Sequence, residues 1–234
     1  MIVLAMDSST RTGSVALLAG EDVLAESAMR VSGAHAEYLI PEIDRLMTAS
    51  GLKLGDLDAL AVGLGPGSLT GTRIGLSVAK GLALGTGLPV VGVSSLDAIA
   101  RSVALTGFQT CPMINAGKGD VFAALYGSSD EGELEKRTED LALTPSTLVE
   151  RIVEPTIFAG GGALMHRGFL TDRLSGLAVF APPDQRLPRA AVIARLAVER
   201  LREGAEEDPG GLRPNYIRKS EAEIQWARKH GEQV

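Results

Sequence analysis

A single cysteine, Cys111, excludes an internal disulfide and any zinc site built on cysteines, and its plainest role is that of a buried apolar thiol. Aromatic residues make up only 4% of the chain and Trp226 is the only tryptophan, so the core rests on Leu, Val, Ile and Ala. No apolar run approaches the roughly 20 residues that a membrane-spanning helix needs. The opening segment Met1 to Asp7 has no basic stretch and meets an aspartate too early for a signal peptide, so a cytoplasmic location is expected. A net charge of −6 argues against this chain gripping a nucleic-acid backbone alone, although a local basic patch can hide inside an acidic total. His35, His166 and His230 are far apart and form no His-x-x-x-His or His-Glu-x-x-His pair, which speaks against a metal site.

What is present is enough chain for one large domain or two small ones. At 234 residues it buries roughly 70% of the surface it exposes when unfolded, so it needs no covalent or metal staple. Ile2 to Met6 reads as a short strand ending at Asp7. A polar turn, Ser8 to Gly13, leads to strands at Ser14 to Leu18 and Val23 to Met29, an antiparallel meander. A helix over Ala34 to Ser50 follows, closed by Gly51, with Leu39, Ile43, Leu46 and Met47 on one face. Pro41 either opens that helix or kinks an earlier start. Then come a strand at Ala59 to Gly63, a glycine-rich turn at Gly65 to Gly71, a helix over Thr72 to Leu84, a strand at Pro89 to Val93 and a helix over Ser95 to Leu105.

The second half repeats the order. Strands are expected at Pro112 to Asn115, Val121 to Tyr126 and near Leu134 to Thr138. Helices are expected over Ser146 to Ile152, Leu164 to Leu174 and Arg189 to Arg202, with strands at Thr156 to Ala159 and Leu177 to Phe180 between them. Two copies of strand-strand-strand-helix-strand-helix-strand-helix predict an α/β chain with the duplicated plan of the actin, Hsp70 and sugar-kinase superfamily. The division expected is 1–108, 109–211 and a polar tail over 212–234, with a short helix at Ser220 to Lys229.

Candidate sites carry two readings each. Asp7 with Ser8 and Ser9 stands where this superfamily places its first phosphate loop; a carboxylate there can hold hydrated magnesium and the turn's N–H groups can cradle phosphate. Alternatively the side chains bond only their own turn. The matching position in the second half is Asn115, and an amide has no charge with which to hold a metal. Gly160 and Gly161, with Gly162, either let an adenosine approach closely or form a flexible strand-to-helix turn. Gly63 to Gly71 lacks the Lys-Ser/Thr pair of a Walker A loop and the spacing of a dinucleotide turn. Arg73 either binds an anion at the helix start or is a solvated or ion-paired arginine. Gly71, Gly75, Ala79, Gly81 and Gly85 line a helix at a cost of up to about 1 kcal/mol per glycine, which suggests close approach by another backbone, in the chain itself or in another subunit.

Several segments together resemble the TsaB family of tRNA threonylcarbamoyladenosine biosynthesis proteins. They are Ala5 to Thr10, His35 to Pro41, Gly65 to Gly75, Ala79 to Ala83 and Gly92 to Leu96, with looser matches at Asn115 to Tyr126 and Pro214 to Arg218. The strong coverage is the first hundred or so residues, and Gly65 to Gly75 is the most specific part. The catalytic paralogue, TsaD, is similar through the same region and then carries a His-x-x-x-His metal pair, at positions that here read Ser95 and Ile99. The resemblance therefore implies a non-catalytic subunit that pairs with and activates a TsaD-type enzyme, alongside a TsaE-type ATPase, with tRNA met only through the complex. It implies a partner surface on the two first-half helices, placed at His35, Tyr38, Leu39, Ile43, Leu46, Gly71, Arg73, Ile74, Gly75, Val78 and Leu82, and leaves homodimer and monomer both open for the chain without its partner. It implies no intrinsic cofactor, and leaves open weak binding of ATP, ADP or magnesium at the degenerate cleft or the complex interface. A metabolite kinase or ATPase of the same fold is the alternative, and a peptidase a further one that lacks a metal pair and a nucleophile elbow.

Overall fold

The computed structural model describes residues 1–30, 35–103, 107–129, 132–204 and 208–218. The first half opens with β1 (Ile2–Asp7), β2 (Thr12–Ala19) and β3 (Asp22–Arg30), paired antiparallel as the meander predicts. Then follow α1 (His35–Ala49), β4 (Ala59–Gly63), α2 (Leu69–Thr86), β5 (Val90–Val93) and α3 (Ser95–Val103). The strand order β3-β2-β1-β4-β5 puts β4 and β5 parallel to β1. Pro41 lies inside α1, so that helix starts ahead of it. Ser68 caps α2 by accepting from the Gly71 amide, and Gly87 closes it in the left-handed conformation, so the helix is longer at both ends than its apolar pattern suggests.

The second half carries β6 (Gln109–Gly117), β7 (Asp120–Ala123), β8 (Tyr126–Ser128), β9 (Leu134–Lys136), β10 (Leu141–Leu143), α4 (Pro145–Val149), β11 (Thr156–Ala159), α5 (Gly161–Met165), α6 (Arg167–Leu174), β12 (Ala178–Phe180) and α7 (Ala190–Arg202). Its main path, β10-β7-β6-β11-β12, reproduces the order of the first sheet. The third meander strand is β10 rather than the segment near Leu134. That segment, β9, instead pairs with β8 in an added hairpin on β6. The expected Leu164–Leu174 helix is two, broken at His166. The expected Ser220–Lys229 helix, with Trp226, His230 and the rest of the tail from 219, lies outside the described residues.

Alternation along the strands explains the layers. On β1, Leu4 and Met6 point to the face covered by α1 and α2, whereas Val3 and Ala5 point to the face covered by α7. The alanines of α7, among them Ala190, Ala194 and Ala197, are fully buried and let the helix lie close on that sheet. In the second half, Cys111, Met113 and Phe158 meet α4, α5 and α6, while Ile114, Phe122 and Ile157 meet Leu96, Ile99 and Val103 of α3. The helices α3 and α7 therefore trade places: the helix at the end of the first half covers the second sheet, and the helix at the end of the second covers the first. A cut at 108/109 separates residues that pack together.

Asp97 of α3 ties these layers. It accepts from Tyr126 Oη at 2.6 Å and Lys136 Nζ at 2.8 Å, and pairs with Arg200 of α7 at 3.3 Å. Burial, reinforced by the neighbouring Asp97 carboxylate, pushes the Tyr126 phenol up, so it stays protonated as the donor.

Candidate functional site

The strand-to-turn end of β1 and the glycine-rich turn before α2 are built against each other. Asp7 is fully buried, and its Oδ1 accepts from the Ser9 amide at 2.9 Å and Ser9 Oγ at 2.8 Å. Its Oδ2 accepts from Ser95 Oγ at 2.6 Å. Ser8 Oγ donates to the Gly71 carbonyl at 2.7 Å, and the Ser68 amide donates to the Ser9 carbonyl at 2.6 Å. The Ser95 amide donates to the Gly65 carbonyl at 2.7 Å, and the Asn215 amide to the Leu64 carbonyl at 2.8 Å.

This contact accounts for the glycines. A Cβ on Gly63 would lie 1.9 Å from Asp7 Oδ2, one on Gly67 2.1 Å from the Ser9 carbonyl oxygen, and one on Gly75 2.4 Å from Ser8 Oγ. The small residues facing inward on α2 are thus used by the chain's own first turn. Gly81 and Gly85 differ: a Cβ at either meets nothing within 4 Å.

The nucleotide expectation changes accordingly. Asp7, Ser8 and Ser9 are buried and committed to the packing of this hub. Gly160 follows β11 and precedes α5. It has φ 97°, and a Cβ there would lie 2.2 Å from the carbonyl oxygen of Met113 on β6. Gly161 is open and faces the cleft between the halves. Asn115, also in the cleft lining, turns its Oδ1 to the Gly117 amide at 2.8 Å, an Asx turn.

The partner expectation is also redrawn. Tyr38, Leu39, Ile43 and Leu46 of α1, and Gly71 and Gly75 of α2, are buried within the chain. Leu39, Ile43 and Leu46 sit on the core face of the amphipathic pattern, which is why the apolar face of α1 is not a free surface. The side chain of His35 lies outside the described residues. Ile74, Val78 and Leu82 remain half-buried on the flank of α2, with exposed Gly81 and Gly85 beside them, while Ile40 on α1 is 62% exposed. The sequence pattern overlooked Ile40 because it lies off the periodic apolar face. Arg73 is exposed, with Nε donating to Tyr216 Oη at 2.7 Å.

Residues 208–218 run across the cleft. Leu212 is buried in the first-half core, Ile217 packs in the cluster around α3 and the second sheet, and Asn215 Nδ2 donates to Asp140 at 2.6 Å. This strap joins the two halves, and its sequence carried no periodic signal that would reveal it. Among the described residues there is no cluster of three or more His, Cys, Asp or Glu side chains placed to hold a metal ion, and no helix long and apolar enough to cross a membrane.

Two sheets of matching order, with paired helices and a cleft between them, define the duplicated actin-like fold. An activator of 2-hydroxyisocaproyl-CoA dehydratase from Clostridium difficile, solved with bound ADPNP, shares that fold at a TM-score of 0.53 and 13% identity, covering 89% of this chain and 99% of its own. The model of the family described as TsaD, tRNA N6-adenosine threonylcarbamoyltransferase, matches residues 28–226. The tRNA threonylcarbamoyladenosine biosynthesis protein TsaB of Bacillus subtilis is 32% identical over 97% of this chain and 98% of that protein. YeaZ from Pseudomonas aeruginosa superposes with a TM-score of 0.76 at 28% identity, covering 92% of this chain and 99% of that one. The chain belongs to the TsaB family of tRNA threonylcarbamoyladenosine biosynthesis proteins.

Proposed function

We propose that this chain is a non-catalytic subunit in the addition of threonylcarbamoyl to an adenosine of tRNA, which it serves by binding and activating a TsaD-type enzyme. The observation that carries the reading is the Asp7–Ser95 hydrogen bond. The acid that a phosphotransferase of this fold would use is buried and held by Ser9 and Ser95, and among the described residues the cleft lining includes no carboxylate. Ile99, one turn on from Ser95, is fully buried and cannot ligate a metal. These features weigh equally against the kinase reading.

The surface proposed for the partner is the outer flank of α2, at Ile74, Val78 and Leu82, together with Ile40 of α1. The open Gly81 and Gly85 allow a second helix to approach closely. The test is threonylcarbamoylation of tRNA by a TsaD-type enzyme and a TsaE-type ATPase, supplied with threonine, bicarbonate and ATP, with and without this chain. Modification that depends on the chain supports the reading. Equal modification in its absence overturns it.

A further inference from the structure

The second half carries an apolar face on α5 and α6 that no described residue covers. Hydrogen bonds carry the helical path across the break at His166: its amide donates to the Gly162 carbonyl at 3.1 Å, and the Leu170 amide to the His166 carbonyl at 2.9 Å. Met165 and Phe169 therefore stand one turn apart on the same side, with Leu164 next to them. Ala163, Leu170 and Leu174 of the same helices are buried, whereas Leu164, Met165 and Phe169 are 53%, 59% and 37% exposed. Apolar side chains gathered in this way differ from singly scattered ones, which need no explanation. Gly161 and Gly168 lie one turn from Met165 and Leu164, and a Cβ at either meets nothing within 4 Å, so another segment can approach closely. Two cations border the patch. Arg173 lies over the Phe169 ring at 5.9 Å and Arg167 over the Phe180 ring at 4.7 Å, and Asp172 is the one carboxylate of α6.

The last described residues lead to this face. Ile217 packs in the second-half cluster and Arg218 pairs with Asp120 at 3.0 Å, and both share the lining of the cleft with Gly161 and Met165. Residues 219–234 continue from there. Ser220 to Ala227 reads Ser-Glu-Ala-Glu-Ile-Gln-Trp-Ala, with two carboxylates, no cation, and Trp226, the only tryptophan of the chain. From Arg218 to Trp226 an extended chain reaches up to roughly 26 Å, ample for a face that begins at a residue sharing one cavity with Arg218. We propose that the C-terminal segment folds back on its own second half and seats Trp226 and Ile224 on Leu164, Met165 and Phe169. Glu221 and Glu223 then turn to Arg167 and Arg173, matching acid to base. An indole has roughly 150–250 Å² to bury, and a methionine thioether is a favourable neighbour for it. The tail thereby extends the strap: Leu212 fastens it to the first-half core, Ile217 and Trp226 to the second half. The proposal concerns the chain alone and stands or falls apart from the subunit role.

The experiment is fluorescence of the full chain, in which Trp226 is the single reporter. The expected result is emission to the blue of that of the chain in denaturant, and quenching by acrylamide weaker than in a synthetic peptide of residues 219–234, both independent of protein concentration. The double variant Leu164→Glu/Met165→Glu should shift the emission to the red and raise quenching to the level of the peptide, with circular dichroism confirming the fold. Val153→Glu, at an exposed position ahead of β11, should change neither. Should the double variant not fold, Met165→Ser is read in the same way. Quenching of the unaltered chain as strong as that of the peptide would overturn the proposal. So would protection unchanged in the Leu164 and Met165 variants, which would seat the tail elsewhere, or protection that fades on dilution, which would seat it on a second copy.

Discussion

Ser95 Oγ lies 2.6 Å from Asp7 Oδ2, and both residues are fully buried. The bond joins the first residue of α3 to the last residue of β1, and so pins the helix that covers the second sheet to the central strand of the first. Asp7→Ala would leave the Ser95 and Ser9 hydroxyls and the Ser9 amide without their acceptor. Unpaired buried donors cost about 1–3 kcal/mol each before relaxation, so a net loss of about 2–4 kcal/mol is expected. For a chain of this size that lowers the Tm by roughly 5–15 °C. Thermal unfolding checks it, and an unchanged midpoint would remove the structural role given to Asp7.

The glycines of the first half should divide by sign. Gly67→Ala drives a methyl into the Ser9 carbonyl oxygen and is expected to destabilise by about 1–3 kcal/mol. Gly81 is helical, exposed and meets nothing within 4 Å, so Gly81→Ala should raise stability by up to about 1 kcal/mol. Denaturant melts of the two variants provide the comparison. Destabilisation by both would mean that Gly81 has a role within the chain itself.

Much of this architecture was legible from residue patterns, and the misses have physical causes. The repeated order of elements and the antiparallel opening were readable because β1 and β2 carry long apolar runs buried on both faces. The short strand β10 was missed because three half-exposed residues leave too little alternation to detect, while β9, beside it in sequence, looked equally plausible. The exchange of α3 and α7 between sheets is a long-range choice that no local pattern encodes. At the site, Asp7 and the glycines were readable as residue types. What they touch was not, since Ser95 is 88 positions away in sequence. The apolar face of α1 was legible as one face of a helix, but periodicity does not say what covers it, and the chain's own first sheet does.

Partner binding should separate from folding along the same line. Ile40→Glu and Gly81→Arg place charge or bulk on exposed positions of α1 and α2 and are expected to weaken binding to a TsaD-type enzyme at least about tenfold, with little change in Tm. Ile43→Ala, by contrast, empties a core position and should cost about 2–5 kcal/mol of stability. Calorimetric binding and thermal melts, run on the same preparations, distinguish the two effects. Full affinity in both surface variants would relocate the interface.

Cys111 gives a readout of global opening. It is fully buried on β6 among Met113, Val121 and Phe158, and desolvation pushes its thiol well above the ordinary range. In the folded chain it should resist alkylation at mildly alkaline pH, and become reactive only when the core around β6 opens. The sign of the linkage follows from the raised folded value. Below the ordinary thiol pKa of about 8.5 both states hold the proton and nothing is lost. Above it the unfolded chain releases the proton while the native chain keeps it, so stability falls as pH rises. Alkylation rates of native protein, compared with the chain in denaturant, provide the measurement, and Cys111→Ala should remove the reaction altogether. Rapid labelling of the native chain at neutral pH would show that β6 is open to solvent and would undo the core assigned to the second half.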